Sequence, residues 1–236
     1  MSSIDAPHQH ALVVSTTMKT ADDRLIELRL FDLDRIEVGE IESLESERES
    51  ASRFQFAHDS SRYLVRRSIL RSLLGELHEI APRDIRILRP REGRPTLEGL
   101  PGFHFNTSRS GSWFIVASSR EVVPGVDIEV NRSLSNIASL IRRISTPGEQ
   151  QQITEVDSVT SEWFLRIWTR KEAAVKALGL GLALDPSQVG VPVENQLLTT
   201  WWPCDLGSRQ DLPKIDLADP DGMPIDLRCA VAVLGA

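Results

Sequence analysis

The sequence predicts an α+β protein made of two lobes of like topology with a cleft between them. The chain has 236 residues, enough for two units of about 100 residues that each bury a core. Segments with strand-like alternation are interleaved with segments of helical periodicity. Residues 65–87 and 169–191 share one outline, in which a helix is followed by Leu-Gly, a loop, a proline and a strand. We therefore predict a flexible tail over 1–20, a first lobe over 21–119 and a second lobe over 120–236.

The composition is that of an ordinary globular protein. Apolar residues make up 41% and charged residues 26% of the chain, which excludes a mostly disordered protein. No stretch approaches the ~18 uninterrupted apolar residues of a membrane span, and the N-terminus lacks the pattern of a secretory signal. The net charge of −7 argues against broad electrostatic binding to nucleic acid. Two cysteines, Cys204 and Cys229, cannot build a disulfide framework, so we expect a reduced, cytoplasmic setting.

In the first lobe, alternation predicts strands and helical periodicity predicts helices. The predicted elements are a strand over 25–33, a charged helix over 41–54, a helix over 60–74, and strands over 84–88, 103–108 and 112–119. Gly75 is expected to cap the second helix. Residues 91–102 are rich in Gly and Pro and are predicted to form a loop.

In the second lobe, Pro124-Gly125 predicts a turn, after which residues 126–130 alternate as a strand does. A long helix follows and is expected to end at Gly179. This helix is predicted over 162–178, and strands are predicted over 188–193 and 225–233.

Two acidic residues share one face of the predicted strand 126–130. Because strand side chains alternate, Asp127 and Glu129 lie on the face opposite to Val126 and Ile128. Their Cα atoms would be about 6.5–7 Å apart, so both carboxylates can reach one cation. A strand with a solvated polar face is the alternative interpretation.

The helix over 162–178 places charged residues in and beside an apolar stripe. Lys171 falls in the middle of this stripe, Glu172 lies at its edge, and Lys176 follows one turn later. A surface ion pair between Glu172 and Lys176 explains two of these residues. A buried ammonium without a partner is costly, so Lys171 either extends to solvent or meets an anion. The stripe consists of Phe164, Ile167, Trp168, Val175 and Leu178.

Together these residues point to metal-assisted chemistry at phosphorus. Three crowded carboxylates resist ionisation unless a cation offsets them, and oxygen ligands select Mg²⁺ or a similar ion. Such a site keeps a net negative charge, so nearby lysines would help it to accept a bound pyrophosphate. The pattern therefore favours attack on a phosphorus centre.

Three blocks of sequence resemble one known family. The segment GVDIE, at 125–129, and the segment WTRKEAAVKALGLGL, at 168–182, are similar to the GxDxE and WxxKEAxxKxxG motifs of Sfp-type 4′-phosphopantetheinyl transferases. The block over 93–117 resembles that family's Gly-Lys-Pro and Phe-Asn-x-Ser-His-Ser segments. The order and spacing of the blocks agree, and the resemblance covers about residues 43–190.

The resemblance implies an α+β fold of two pseudo-symmetric lobes. Each lobe would be a small, mainly antiparallel sheet with packed helices, and coenzyme A would bind in the active-site cleft between them. The implied reaction is Mg²⁺-dependent transfer of the 4′-phosphopantetheine group of coenzyme A to a serine of an acyl or peptidyl carrier protein. Adenosine 3′,5′-bisphosphate would be released. Independently of the resemblance, the chain length suits a monomer, and we expect neither nucleic acid nor a membrane as a partner.

The resemblance also implies residue roles. Asp127, Glu129 and Glu172 match the Mg²⁺ ligands, and Glu172 further matches a residue proposed to activate the attacking serine. Lys171 and Lys176 match lysines near the pyrophosphate. The catalytic set expected on this basis is Glu172, Lys176 and Glu149, the last on a loop at the rim of the site.

The remaining implied contacts are with coenzyme A. Asp127, Lys171 and Lys176 are also expected to belong to the set that binds coenzyme A. Arg94 and Pro95 match residues that border the adenine, and Ser108 matches a residue near the 3′-phosphate. Arg109 stands where the family has histidine and is expected to meet the same phosphate through its fork of donors. Arg48 corresponds loosely to basic residues before the first long helix.

Other assignments remain open at this stage. The four arginines of helix 60–74 could face phosphate or an acidic carrier, although a solvated helix face is expected for most of them. A metal-dependent phosphoesterase could use the same acidic cluster. A protein that binds coenzyme A or a carrier without transferring anything is a third interpretation. The arginines are Arg62, Arg66, Arg67 and Arg71.

Overall fold

Two antiparallel sheets, each packed against one long helix, form two lobes and confirm the predicted α+β class. The computed structural model describes residues 7–88, 94–153, 160–180, 184–193, 199–201 and 215–234. Cys204 and part of the predicted loop at 91–93 lie outside these residues. Every helix in the described part of the chain is too short or too polar to span a bilayer.

The first lobe is a four-stranded sheet in the order β1-β2-β6-β5, counted over the described residues. Helix α3 packs on one face of this sheet through buried residues such as Ile69, Leu70 and Leu74, which meet Phe31 and Phe114. The elements are α1 Pro7–Ala11, β1 Leu12–Lys19, β2 Leu25–Asp32, α2 Glu45–Ala51, α3 Ala57–His78, β3 Ile87–Leu88, β4 Thr96–Leu97, β5 His104–Ser110 and β6 Trp113–Ser119.

The second lobe has a sheet in the order β7-β10-β9-β8, covered by helix α6. Strand β7 passes very close to this helix. A Cβ added at Gly125 would collide with the backbone of Ala173 and Ala177. Only glycine permits that approach. The elements are β7 Pro124–Val130, α4 Ile137–Ile144, α5 Pro147–Ile153, α6 Ser161–Leu178, β8 Thr199–Trp201, β9 Ile215–Ala218 and β10 Leu227–Leu234.

The two lobes repeat one topology. In each lobe a strand, β2 or β7, is followed by at least one short helix and then a long helix. That strand pairs with the last strand of its lobe, giving β2-β6-β5 and β7-β10-β9. After each long helix a 3₁₀ turn begins at a proline, Pro82 in one lobe and Pro186 in the other. This repetition confirms the pseudo-symmetry that the sequence predicted.

The lobes pack sheet against sheet. Leu28 and Ile115 of the first sheet meet Val126, Ile128 and Val231 of the second in one buried cluster. The burial of Val126 and Ile128 confirms that Asp127 and Glu129 lie on the other face of β7. That face is turned toward helix α6, where the charged cleft forms.

The prediction of a tail over 1–20 is wrong from residue 7 onward. Strand β1 pairs antiparallel with β2 from Leu12↔Phe31 to Lys19↔Leu25, and Ala11 is fully buried. Short polar side chains hide the alternation of β1, although Val14 and Met18 pack against the core between the lobes. Residues 1–6 lie outside the described part of the chain.

The glycine at the end of each helical motif behaves differently. Gly179 is the left-handed C-cap of α6, as predicted, with φ of 72°. Gly75 remains inside α3, which continues to His78 and is capped by Glu79. A Cβ at Gly75 would collide with the carbonyl oxygen of Ile80, so glycine serves there to admit the returning chain.

Three further predictions of local structure are corrected. Pro124 and Gly125 belong to strand β7, where they pair with Val233 and Ala232 of β10, and do not form a turn. The strands predicted over 84–88 and 188–193 are reduced to β3 and to irregular chain after a 3₁₀ turn. The alternation of Val189, Val191 and Val193 reflects packing against the α6 core.

Candidate active site

A cleft of about 430 Å³ opens at the seam between the lobes. Carboxylates line its second-lobe wall, whereas two arginines and two hydroxyls line its first-lobe wall. The lining residues are Arg66, Thr107, Ser108 and Arg109 from the first lobe, and Asp127, Glu129, Trp168, Glu172 and Lys176 from the second.

Asp127 is the most buried carboxylate of the cleft, with 6% of its surface exposed. Its Oδ1 atom accepts hydrogen bonds from Ser108 Oγ at 2.6 Å and from Lys176 Nζ at 2.7 Å. The Lys176 ammonium also donates to the carbonyl oxygen of Val126 at 3.0 Å. Burial raises the pKa of Asp127, while Lys176 and Ser108 oppose that rise because they favour the ionised form.

Glu129 is held by residues of both lobes. Its Oε2 atom accepts hydrogen bonds from Ser110 Oγ at 2.8 Å and from Arg132 Nη1 at 2.8 Å. The Ser110 oxygen in turn accepts a hydrogen bond from the Val130 backbone N–H at 3.1 Å. The serine therefore orients the carboxylate and fixes the local backbone together.

Glu172 differs from the other two acids, because its carboxylate has no hydrogen-bond or ion-pair partner among the described residues. It is half-buried on α6 and faces the cleft. Burial raises the pKa of Glu172, and the nearby carboxylates of Asp127 and Glu129 raise it further against the opposing Lys176. A carboxylate with raised proton affinity at a cleft wall is well suited to accept a proton.

Strand β5 of the first lobe reaches the acidic strand through alternate side chains. Asn106 Oδ1 accepts a hydrogen bond from the Val126 N–H at 3.4 Å. Two residues apart on the same face, Ser108 and Ser110 bond to Asp127 and Glu129. The first lobe thus positions two carboxylates that the second lobe carries.

The three acids share the cleft but do not form a compact ligand set. Within the described ranges, no group of three or more His, Cys, Asp and Glu side chains is placed to hold a metal ion. Asp127 is paired with Lys176, and Glu129 is paired with Arg132. Carboxylate oxygens are nevertheless the donors that Mg²⁺ prefers, so the donor chemistry fits the expected ion.

Lys171 does not reach the cleft, contrary to the role that the resemblance implied. Its side chain is fully buried and its ammonium donates to Glu149 Oε2 at 2.7 Å, to Pro186 O at 3.1 Å and to Val189 O. An ammonium has three donors, so all are used. Burial lowers the pKa of Lys171, and Glu149 opposes that change. Of the two outcomes predicted for Lys171, the structure has the second, and the anion that it meets is Glu149.

Glu149 is also drawn away from the rim of the site, because it is 4% exposed and serves the fold. It forms a capping box at the start of α5, accepting from the Thr146 N–H at 2.8 Å while Thr146 Oγ1 accepts from the Glu149 N–H at 3.2 Å. Its second oxygen accepts from the Val191 N–H at 2.7 Å. All of these bonds are to the second lobe itself, and Glu149 is not among the residues that line the cleft.

The other implied contacts are only partly brought together. Arg109 is exposed and lines the cleft, whereas Arg94 donates to the carbonyl oxygens of Lys176 and Ala177 at the end of α6. Burial lowers the pKa of Arg94. Pro95, beside it, does not line the cleft, nor does Arg48, which donates to Ser43 Oγ at 3.0 Å.

Sequence reasoning missed the roles of two residues in this cleft. Ser110 could have been found from the two-residue spacing of Asn106, Ser108 and Ser110 on one strand face. Arg66 was one of four arginines on a helix, and only the fold distinguishes it from its neighbours. Of these four, Arg66 lines the cleft. Arg62 pairs with Asp34, and the remaining two pair with Glu47.

The fold and the cleft define a class of two-lobed α+β protein whose seam combines carboxylates with ammonium and guanidinium groups. A model of the 4′-phosphopantetheinyl transferase superfamily matches residues 124–200. A second, described as 4′-phosphopantetheinyl transferase, N-terminal, matches residues 40–121. The chain belongs to the 4′-phosphopantetheinyl transferase superfamily.

Curated relatives are similar over the same region. The 4′-phosphopantetheinyl transferase Sfp of Bacillus subtilis is 30% identical over 138 residues, which cover 58% of this chain and 60% of Sfp. The 4′-phosphopantetheinyl transferase HetI of Nostoc sp. is 33% identical over 156 residues, covering 64% of this chain and 66% of HetI. The L-aminoadipate-semialdehyde dehydrogenase-phosphopantetheinyl transferase of Mus musculus is 31% identical over 154 residues. These cover 59% of this chain and 49% of the mouse protein. The chain thus spans about 60% of the length of Sfp.

Proposed function

We propose that this protein transfers the 4′-phosphopantetheine group of coenzyme A to a serine of an acyl or peptidyl carrier protein. A bond forms between the serine oxygen and the β-phosphorus of coenzyme A. The bond from that phosphorus to the bridging oxygen breaks, and adenosine 3′,5′-bisphosphate leaves. We expect the protein to act as a monomer in the cytoplasm.

The observation that carries this proposal is the cleft between the lobes, which combines Glu172 with the pair of Asp127 and Lys176. Family membership gives the class of reaction, and the cleft supplies residues for it. Glu172 has the raised pKa and the open carboxylate that a proton acceptor needs. We assign to it the removal of the proton from the attacking serine.

We include magnesium in the proposal because carboxylate oxygens are the donors that this ion prefers. Asp127, Glu129 and Glu172 are the residues that would hold it. When bound, the ion would supply positive charge beside the charge that develops on the phosphate oxygens. Lys176 contributes to the same stabilisation from the chain, because its ammonium is already held beside the acids.

The decisive experiment is mass spectrometry of an apo carrier protein incubated with this protein, coenzyme A and Mg²⁺. The expected result is a carrier heavier by one phosphopantetheine group, together with adenosine 3′,5′-bisphosphate. An unmodified carrier, tested across acyl and peptidyl types, would contradict the proposal.

Two control mixtures, one without the carrier protein and one without divalent ions, test the alternative functions and the role of magnesium. Without a carrier, a phosphoesterase would still cleave coenzyme A, whereas a transferase should leave it intact. A protein that only binds coenzyme A would bind it with or without the carrier and would form no product in either case. Chelation of divalent ions before mixing tests the role assigned to magnesium, and full transfer without them would remove it.

A further inference from the structure

The lysine of the proposed reaction stands in the last turn of its helix. Helix α6 ends at Leu178, and Lys176 lies two residues before that end. The final carbonyl groups of a helix have no partner within it, so the last turn frays unless other donors bind them. The position of the Lys176 ammonium beside Asp127 therefore depends on how firmly this turn is held.

The chain that follows the helix satisfies part of this turn. The Gly179 N–H donates to the carbonyl oxygens of Val175 at 3.0 Å and of Lys176 at 3.1 Å, and the Leu180 N–H donates to that of Val175 at 3.4 Å. The carbonyl oxygen of Ala177 is bound instead by a side chain.

That side chain is Arg94 of the first lobe. Its Nη2 atom donates to the carbonyl oxygen of Ala177, and its Nε atom donates to that of Lys176 at 3.4 Å. The guanidinium lies against Gly179, where an added Cβ would stand 3.0 Å from the central carbon Cζ. Glycine at this C-cap thus permits both the left-handed backbone and the close approach of the arginine.

The contact is favourable on electrostatic grounds. The C-terminal end of a helix carries a partial negative charge, so a cation beside it is stabilising. Arg94 is half-buried, and a guanidinium that is partly removed from water needs acceptors. The helix carbonyls supply them, and the bonds tie the first lobe to the end of α6 across the seam.

The other long helix has a similar contact and offers a matched comparison. Arg120, in the connection between β6 and β7, donates at 3.3 Å to the carbonyl oxygen of Leu77, in the last turn of α3. The two arginines therefore bind the same part of equivalent helices. Among the described residues that line the cleft, the last turn of α6 contributes Lys176 and the last turn of α3 contributes none.

We propose that Arg94 is a positioning residue, which holds the last turn of α6 from the first lobe and thereby keeps Lys176 in place for the reaction. This inference rests on the proposed function, because Lys176 acts in that reaction. It differs from the role that the resemblance implied for Arg94, which is a contact at the border of the adenine. Arg94 acts through the backbone of α6 and not on the reacting atoms.

The first test needs neither coenzyme A nor a carrier. Amide hydrogen exchange over residues 175–180 is measured in the wild type, Arg94→Met and Arg94→Lys, after thermal unfolding has shown which variants are folded. Arg94→Met should speed exchange in this turn by about fivefold. Arg94→Lys keeps the cation but loses the fork of donors, so it should lie between the two, and it replaces Arg94→Met if that variant does not fold. Unchanged exchange would overturn the proposal.

The second test is the steady-state rate of transfer to a carrier, with Arg120→Met as the matched control. Arg94→Met should lower kcat by about 10–100-fold, because a small displacement of a positioned group has a cost of that size. The KM for coenzyme A should change less than kcat. Arg120→Met should keep kcat within a few-fold of the wild type, since it loosens a helix end that is remote from the cleft.

The same substitution in a Lys176→Met background shows whether Arg94 acts through the lysine. Arg94→Met should then have little further effect, because residues that act as a unit are not additive. Losses that multiply, an equal loss in Arg120→Met, or a raised KM for coenzyme A with unchanged kcat would overturn the assignment. A wild-type protein that modifies no carrier would overturn the proposed function itself, whereas the exchange experiment would still decide whether Arg94 holds α6.

Discussion

The first and second lobes use the same ion-pair device to attach a short helix to a long one. In each lobe a glutamate in the first turn of the short helix accepts a hydrogen bond from the backbone N–H three residues earlier, at 3.1 Å for Glu47 and 2.8 Å for Glu149. Each glutamate then pairs with a cation of the long helix, Arg67 at 2.9 Å and Lys171 at 2.7 Å. Both cations lie eight residues before the glycine of the Leu-Gly pair.

The lobes differ at the positions that follow in the same register. Glu172 and Lys176 of α6 correspond to Ser68 and Ser72 of α3, each at the same distance from its Leu-Gly glycine. The shared pair is therefore scaffold, and the pair that only one lobe carries belongs to the cleft. This comparison separates Lys171 from Glu172, although the two residues are adjacent in the sequence.

The comparison is tested most severely at Glu172. Glu172→Ala should reduce transfer to a carrier by about 10²–10⁴-fold, because a positioned proton acceptor contributes that much. The variant should stay folded, since no described partner of Glu172 is lost. The measurement is the initial rate of carrier modification by mass spectrometry.

The matched control is Ser68→Ala at the corresponding position of the first lobe. Its rate should stay within a few-fold of the wild type. If Ser68→Ala slowed transfer as much as Glu172→Ala, the division between scaffold and chemistry would be wrong.

The shared device should govern stability, and more strongly in the second lobe. Lys171→Met leaves Glu149 buried without its cation and should lower the free energy of unfolding by about 3–5 kcal/mol. Arg67→Met should cost less, because Glu47 still has Arg71. Urea denaturation of both variants measures the difference, and the reverse order of stability would contradict the account.

Ser110 tests the contribution of the first lobe to the acids. Ser110→Ala removes the hydroxyl that holds Glu129 and should raise the Mg²⁺ concentration for half-maximal transfer by about tenfold, at the low end for residues that orient metal ligands. Ser112→Ala, two residues along the chain and outside the cleft, is the control. An unchanged Mg²⁺ requirement in Ser110→Ala would show that Arg132 alone suffices to hold the carboxylate.

The smallest expected effect is on pH dependence. A raised pKa means that folded Glu172 binds its proton more tightly than the unfolded chain does. The metal-free protein should therefore lose stability as pH rises from the ordinary carboxyl value of 4.5 through the raised folded pKa. Glu172→Gln removes this loss, so it should unfold at a slightly higher temperature than the wild type at neutral pH. A lower unfolding temperature would mean that the ionised Glu172 is stabilising.

Much of the site was predictable because it depends on short-range periodicity. The two-residue alternation of β7 was enough to put Asp127 and Glu129 on one face, and the helical period put Glu172 and Lys176 one turn apart. The apolar stripe of α6 also limited Lys171 to two possibilities, extension to solvent or contact with an anion.

What could not be predicted depends on contacts between distant segments. The partner of Lys171 is Glu149, 22 residues away, and the same pattern was compatible with a phosphate ligand. The two Leu-Gly pairs look alike in sequence, yet Gly75 continues its helix because the chain returns over it at Ile80. Arg66 is the same residue type as the other three arginines of α3, and it is distinguished from them by lining the cleft.

Through the hydroxyls of Ser108 and Ser110, both halves of the chain contribute to the arrangement of the acids in the cleft. A fragment that begins near residue 120 would retain the three carboxylates of the cleft. It would lose Ser108 and Ser110, which orient two of them. The same holds for hybrids, because a second half grafted onto a foreign first half would inherit acids without their supports. Engineering of this protein should therefore exchange strands β5 and β7 together.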